Sequence, residues 1–155
     1  MKKQNAMNNK GFSLMELVIV VAIMAILIGV MSPQLIRFLE NAKESSDKQL
    51  ADTVRIAVIA AMMDPRVIDA ADSGEIAAGD IKRITGLSDK PFGQAVCETL
   101  GVAAVTELDE IEAQLKSENA KEIHIEITSA KTVIVHITKA GETDMTKALI
   151  TVPAE

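Results

Sequence analysis

Residues 10–19 read KGFSLMELVI, and one acid, Glu16, interrupts the start of an otherwise apolar run. From Phe12 to Met31 the only polar side chains are Ser13 and Glu16. As a helix these twenty residues span roughly 30 Å, the thickness of a bilayer's hydrocarbon core. Twelve of them are Phe, Leu, Ile or Val, which together favour insertion by roughly 4–7 kcal/mol. An acid near a helix end costs less than the roughly 2.5–3.5 kcal/mol of a charge at the bilayer centre, so insertion wins despite Glu16. Lys2, Lys3 and Lys10 precede the run, which predicts the N-terminus inside and the remainder outside. A cleaved secretory signal would need a small-x-small site after the run. The sequence there, Ile28-Gly29-Val30-Met31-Ser32-Pro33, offers none.

The rest of the composition narrows the function classes. The 155-residue chain carries 16 basic and 22 acidic groups, a net charge of −6. Without the three leader lysines the balance is 13 to 22, or −9. So acidic a body is a poor partner for nucleic acid, and no strong nucleic-acid binding is expected. The single cysteine, Cys97, excludes an intrachain disulfide. With three Phe and no Tyr or Trp, the core must be aliphatic.

Lys10-Gly11-Phe12-Ser13-Leu14-Met15-Glu16-Leu17, followed by VIVVAIMAILIGV, resembles the N-terminal signature of type IV prepilins. The likeness lies in a basic leader ending in Gly, then Phe, a small hydroxyl residue, two apolar residues, and Glu at the fifth place after the Gly. The resemblance implies that a prepilin peptidase cuts between Gly11 and Phe12 and that Phe12 becomes N-methylated. Gly29 and Pro33 stand where the family's helix-softening residues stand. It also implies a role for Glu16: neutralising the Phe12 amine of a neighbouring subunit as helices bundle, a buried pair that would set subunit register. The alternative is that Glu16 turns to its own helix N-terminus, where the dipole favours it.

Beyond Pro33 the pattern becomes amphipathic. Leu39, Ala42, Ser46, Leu50, Val54, Ala57 and Ala61 form one stripe at three- and four-residue spacing. Lys43 with Asp47, and Glu44 with Lys48, are expected as i,i+4 pairs on the wet side. The spacing predicts one helix over about 12–62, roughly 75 Å long, bent or loosened near Pro33. Asp64-Pro65 ends it. Over 63–120 the pieces are short: a turn through IKRIT capped by Asp80, a helix PFGQAVCETL stopped at Gly101, and a helix ELDEIEAQLKSEN capped by Thr106. The period then changes to two, predicting strands at 122–128, 132–138 and 145–152. Facing the apolar residues inwards pairs Ile123 with Ile137, Ile125 with Val135, and Ile127 with Val133.

The expected architecture is α+β, and in this order it resembles the pilin fold. A long helix would protrude from a globular head whose antiparallel sheet, of three or four strands, packs on it. The expected divisions are leader 1–11, apolar half-helix 12–35 and head 36–155, the head comprising a half-helix 36–62, a variable region 63–120 and a meander 121–155. The absence of a cysteine pair near the C-terminus is similar to disulfide-free major pilins of the Gram-positive kind.

Few residues suggest site chemistry. His124 and His136 fall opposite each other in the strand register, on the outer face, and are expected to be exposed sheet residues without a third metal ligand. Glu142 and Asp144 lie where major pseudopilins of secretion systems use acidic loops for calcium; a solvated turn is expected here. Cys97 is expected to be a buried apolar residue. Neither a Gly-rich phosphate loop nor a zinc motif occurs. No catalytic residue, cofactor or metal is therefore expected, and the chain is not expected to be an enzyme.

The expected function is a structural subunit of a type IV pilus, a homo-oligomeric helical filament; adhesion, motility and DNA uptake are roles between which the sequence does not choose. Its precursor would cross the cytoplasmic membrane once before joining an extracellular pilus. Prepilin peptidase and pilus assembly machinery are partners the resemblance implies. Two alternatives stay open: a pseudopilin of a type II-like secretion or competence apparatus, and a monomeric, signal-anchored surface binding domain.

Overall fold

The structure, a computed structural model, describes residues 12–153. Helix α1 runs without interruption from Leu14 to Met62, with Pro33 inside it. Proline lacks an amide donor and crowds the preceding turn, yet the backbone is helical on both sides. Compact packing changes between Leu39 and Glu40, which divides the chain into two units. In the first unit the side chains described, from Phe12 to Leu39, are exposed. Among the described residues, α1 is the one helix long and apolar enough to cross a membrane, and none of its most apolar window is buried.

In the second unit α1 buries Ala51, Val54, Ala57, Val58 and Ala61. The expected stripe holds at Val54, Ala57 and Ala61, whereas Leu39 and Ala42 are exposed. Glu44 and Lys48 pair at 2.8 Å as expected. The Lys43–Asp47 expectation is corrected: Asp47 is fully buried, and its carboxylate accepts the backbone N–H groups of Lys116 and Ser117 at 2.8 Å each. After Met62, Asp64 caps the short helix α2 (Pro65–Ile68) by accepting the Arg66 N–H.

IKRIT is not one helical turn. Ile81–Arg83 forms strand β1, antiparallel to strand β2 (Glu122–Ile127), and Ile84–Gly86 is a 3-10 turn. The Gly79 N–H donates to Ile127 O at 2.7 Å and leads the chain onto β2, so pairing with that strand overrides local helix preference. Helix α3 (Pro91–Leu100) starts at proline and stops at Gly101, whose φ of 74° is the left-handed cap glycine favours. Its buried face includes Phe92, Val96 and Cys97.

The long helix expected over 107–119 is also corrected. Only Val105–Glu107, a 3-10 turn, and helix α4 (Asp109–Glu112) form, and Thr106 provides no cap. The amides of Lys116 and Ser117 are taken by Asp47, so the chain leaves the helix before them. Leu108 and Ile111 are buried as expected.

Strand β2 pairs with β3 (Val133–Thr138) in the expected register, Ile123 with Ile137, Ile125 with Val135, and Ile127 with Val133. The last strand is shorter than expected. β4 is Ile150–Val152, and Met145–Lys147 is a 3-10 turn that Asp144 caps. The sheet is antiparallel with spatial order β1-β2-β3-β4. Its inner residues join the buried face of α1, Phe92 and Leu108 in one core. The fold is α+β, a long N-terminal helix with a four-stranded sheet, consistent with the pilin fold.

Candidate processing and assembly site

The start of α1 is fixed by two side chains. Phe12 and Ser13 are not helical, and the helix begins at Leu14. The Ser13 hydroxyl accepts the Met15 N–H at 3.3 Å, and a Glu16 carboxylate oxygen accepts the Ser13 N–H at 2.9 Å. This reciprocal arrangement is a capping box: Ser at the cap, Glu at the third helical position. It satisfies two of the amide donors that a helix start leaves without partners. Of the two expectations for Glu16, the single chain therefore displays the intrahelical one, with the carboxylate turned to its own first turn.

Phe12 is 88% exposed. A Cβ added at Gly29 would meet nothing within 4 Å, so no contact among the described residues requires glycine there. Pro33 is likewise exposed on α1. Gly11 lies outside the described residues. The run from Phe12 to Leu39 thus presents a continuous surface of large apolar side chains, among them Leu17, Ile23, Leu27 and Met31, each more than half exposed. Water does not tolerate such a surface on a stable monomer; lipid or other protein must cover it.

Residues 6–32 match the family described as the prokaryotic N-terminal methylation motif. The chain carries the class III signal of type IV pilins. No curated protein and no solved structure matches the chain, so the likeness rests on that N-terminal stretch. The prepilin signal coincides with the capping box and with the first three-quarters of the exposed apolar surface. Its serine and glutamate have a structural use that the sequence analysis, which takes Ser13 only as a motif position, missed, although S-x-x-E ahead of an apolar run is the signal for it.

The second unit of this prepilin-like chain holds a polar layer on the sheet face opposite the core. Cross-strand partners Arg83, His124, His136 and Thr151 form one row over all four strands. The two histidines were expected to be exposed; instead they are 8% and 7% exposed. His124 Nε2 lies 3.3 Å from Glu122, and His136 contacts Glu126 through Nε2 at 3.2 Å and the Thr151 hydroxyl through Nδ1 at 3.0 Å. Arg83 donates to Glu112 and Glu122, and Glu112 also accepts the Ile123 N–H at 3.0 Å, occupying the β2 edge beyond β1. Glu122 and Glu126 thus each meet an imidazole, contacts the sequence analysis did not foresee.

Burial opposes the Glu122 charge, but the Gly141 N–H, His124 and Arg83 outweigh it and hold its carboxyl below the ordinary glutamate range. The contribution of Glu122 to stability is then complete above its unfolded value of about 4.3. It is lost as pH falls through the lowered folded value. In urea titrations at pH 7 and pH 3.5, Glu122→Gln is expected to lose about 1–3 kcal/mol at neutrality and less in acid. An equal loss at both pH values would refute that role.

The remaining candidates are engaged in local structure. Glu142 accepts the Asp144 N–H at 3.0 Å, and Asp144 caps its 3-10 turn and pairs with Lys147. Cys97 is buried, and burial pushes its thiol up, away from the reactive thiolate.

Proposed function

We propose that this chain is the structural subunit of a type IV pilus, cut between Gly11 and Phe12, N-methylated at Phe12, and polymerised through its apolar half-helix. The observation that supports this reading is the coincidence of the prepilin signal with an apolar helix surface that none of the described residues covers. As a precursor the half-helix lies in lipid. In a filament it exchanges lipid for neighbouring helices of the same kind. Repeated contacts between unlike faces extend without closing and give a filament instead of a ring. The head would then line the filament's exterior. Homologous copies, the membrane, prepilin peptidase and an assembly machinery are the partners of this reading, and the cell surface is its destination.

Glu16 has a two-stage use in this scheme. In the isolated chain it bonds Ser13; in the filament it turns to the Phe12 amine of a neighbour, which would otherwise be a buried unpaired cation. Glu16→Ala is expected to leave membrane insertion intact and reduce filament yield by at least tenfold, measured in surface-sheared material. Mass spectrometry of that material tests the whole reading. N-methylated Phe12 as the first residue of a polymer supports it, and a single-copy protein that retains Lys2 and Lys3 overturns it in favour of an anchored binding domain. Recovery of methylated protein only in short periplasm-spanning or wall-spanning assemblies would move the assignment to a pseudopilin.

A further inference from the structure

We infer that Arg37 and its apolar neighbours form an outer-leaflet anchor of the precursor: the guanidinium seats among the headgroup phosphates, while Leu35, Phe38 and Leu39 sink into the lipid beside them. The inference rests on the reading of the precursor as a membrane-spanning chain, and adds to it the place where the helix leaves the lipid.

No residue between Glu16 and Arg37 is charged. Arg37 is exposed on α1, and Glu40, one turn further on, does not pair with it. The other cations of the helix do find acids, Lys48 with Glu44 and Arg55 with Asp52. Among the described residues the Arg37 guanidinium has no carboxylate partner. Basic residues are favoured on the inner side of a membrane helix, so an arginine at the opposite end calls for a reason. Headgroup phosphate is the anion that such a position offers, and the planar fork of guanidinium donors matches it.

Two measures put Arg37 at that level. It lies 23 residues after Leu14, where α1 begins, or about 35 Å along the axis. That exceeds the hydrocarbon core of about 30 Å and falls short of the whole bilayer with its headgroups, about 40–45 Å. Met31, the end of the unbroken apolar run, lies only about 26 Å along and would leave the outer part of the core unspanned. The second measure is the change of pattern. Up to Met31 the helix is apolar nearly all round, whereas after Pro33 it acquires sides. Leu35, Phe38 and Leu39 share one side at three- and four-residue spacing, and each is more than half exposed. Gln34 and Arg37, three residues apart, share the other. A sided segment directly above an all-apolar one suits the boundary layer, where the apolar side meets acyl chains and the long cationic side chain reaches out to the headgroups.

The test measures depth. Full-length precursor carrying Cys97→Ala and a nitroxide on Met31→Cys is reconstituted at high dilution in phosphatidylglycerol vesicles. Electron spin resonance then reads the label's depth from its collisions with oxygen and with a water-soluble nickel chelate. In Arg37→Gln the next charge at this end is Glu40, three residues on, so the label is expected to sink by about 4 Å. Arg37→Lys is expected to keep the natural depth, and so is the unsubstituted Arg37 chain in excess inorganic phosphate. An unchanged depth in Arg37→Gln would overturn the inference and leave these turns to be covered by a second copy. A label that sinks when inorganic phosphate is added would also overturn it, since the guanidinium would then be taking soluble anions. Release of the Arg37 chain from the vesicles by alkaline carbonate would overturn the membrane reading itself, a distinct result.

Discussion

Gly93→Ala is expected to be the most damaging small change in the head, with a loss of about 3 kcal/mol or more. Gly93 lies in the first turn of α3, and a Cβ there would stand 2.1 Å from the Ser88 carbonyl oxygen and 3.1 Å from a methyl of Val105. The first neighbour is backbone and cannot swing aside. That stretch is pinned, because the same carbonyl accepts the Lys90 N–H and Phe92 donates to Ser73 O. Cys97, the only thiol and buried on the same helix, provides the readout: its labelling rate in urea reports opening of the head without interference from the apolar half-helix. Gly29→Ala is the control. With nothing within 4 Å of the added methyl, it should leave thiol labelling unchanged, and unaltered labelling in Gly93→Ala as well would show that the approach of residue 88 is not as close as described.

Asp47→Ala should cost nearly as much, about 2–4 kcal/mol. The residue is fully buried, and its two oxygens each accept one backbone amide. Removing the carboxylate leaves both donors without acceptors, a larger penalty than the bonds themselves contribute. Asn retains one acceptor oxygen, so Asp47→Asn should fall roughly midway between the natural chain and Asp47→Ala. Equal stability of all three chains in the thiol assay would mean that water replaces the carboxylate without penalty.

The N-terminal helix and the central hairpin were legible because each depends on one period in the sequence. A run of twenty residues, eighteen of them apolar, after a basic leader admits few structures, and the alternation of Ile123, Ile125 and Ile127 against Val133, Val135 and Ile137 fixes a register that one slip would invert. Gly101 and Pro91 marked α3 for similarly local reasons. What escaped depends on partners far along the chain. Nothing near Asp47 distinguishes it from the exposed acids of the same helix until Lys116 and Ser117 arrive. IKRIT is neutral between turn and strand until it meets the edge of β2. The histidines alternate to the outer face as expected, but each also meets a carboxylate, Glu122 two residues away on the same strand for His124 and Glu126 on the neighbouring strand for His136. In the processing region the S-x-x-E pattern was visible, while its use as a cap required the backbone.

The strands succeed one another in space in the order they occur in the chain, whereas Asp47 meets its partner amide only 69 residues later. Under the proposed function, N-terminal parts are exported first. The half-helix of the head is therefore expected to cross before anything exists to dock it, and to wait while the hairpin, built from neighbouring segments, forms by itself. Closure onto Lys116 and Ser117 would be the late event that joins early and late portions of the polypeptide. A chain interrupted before that point would keep its apolar half-helix yet have an unfinished head.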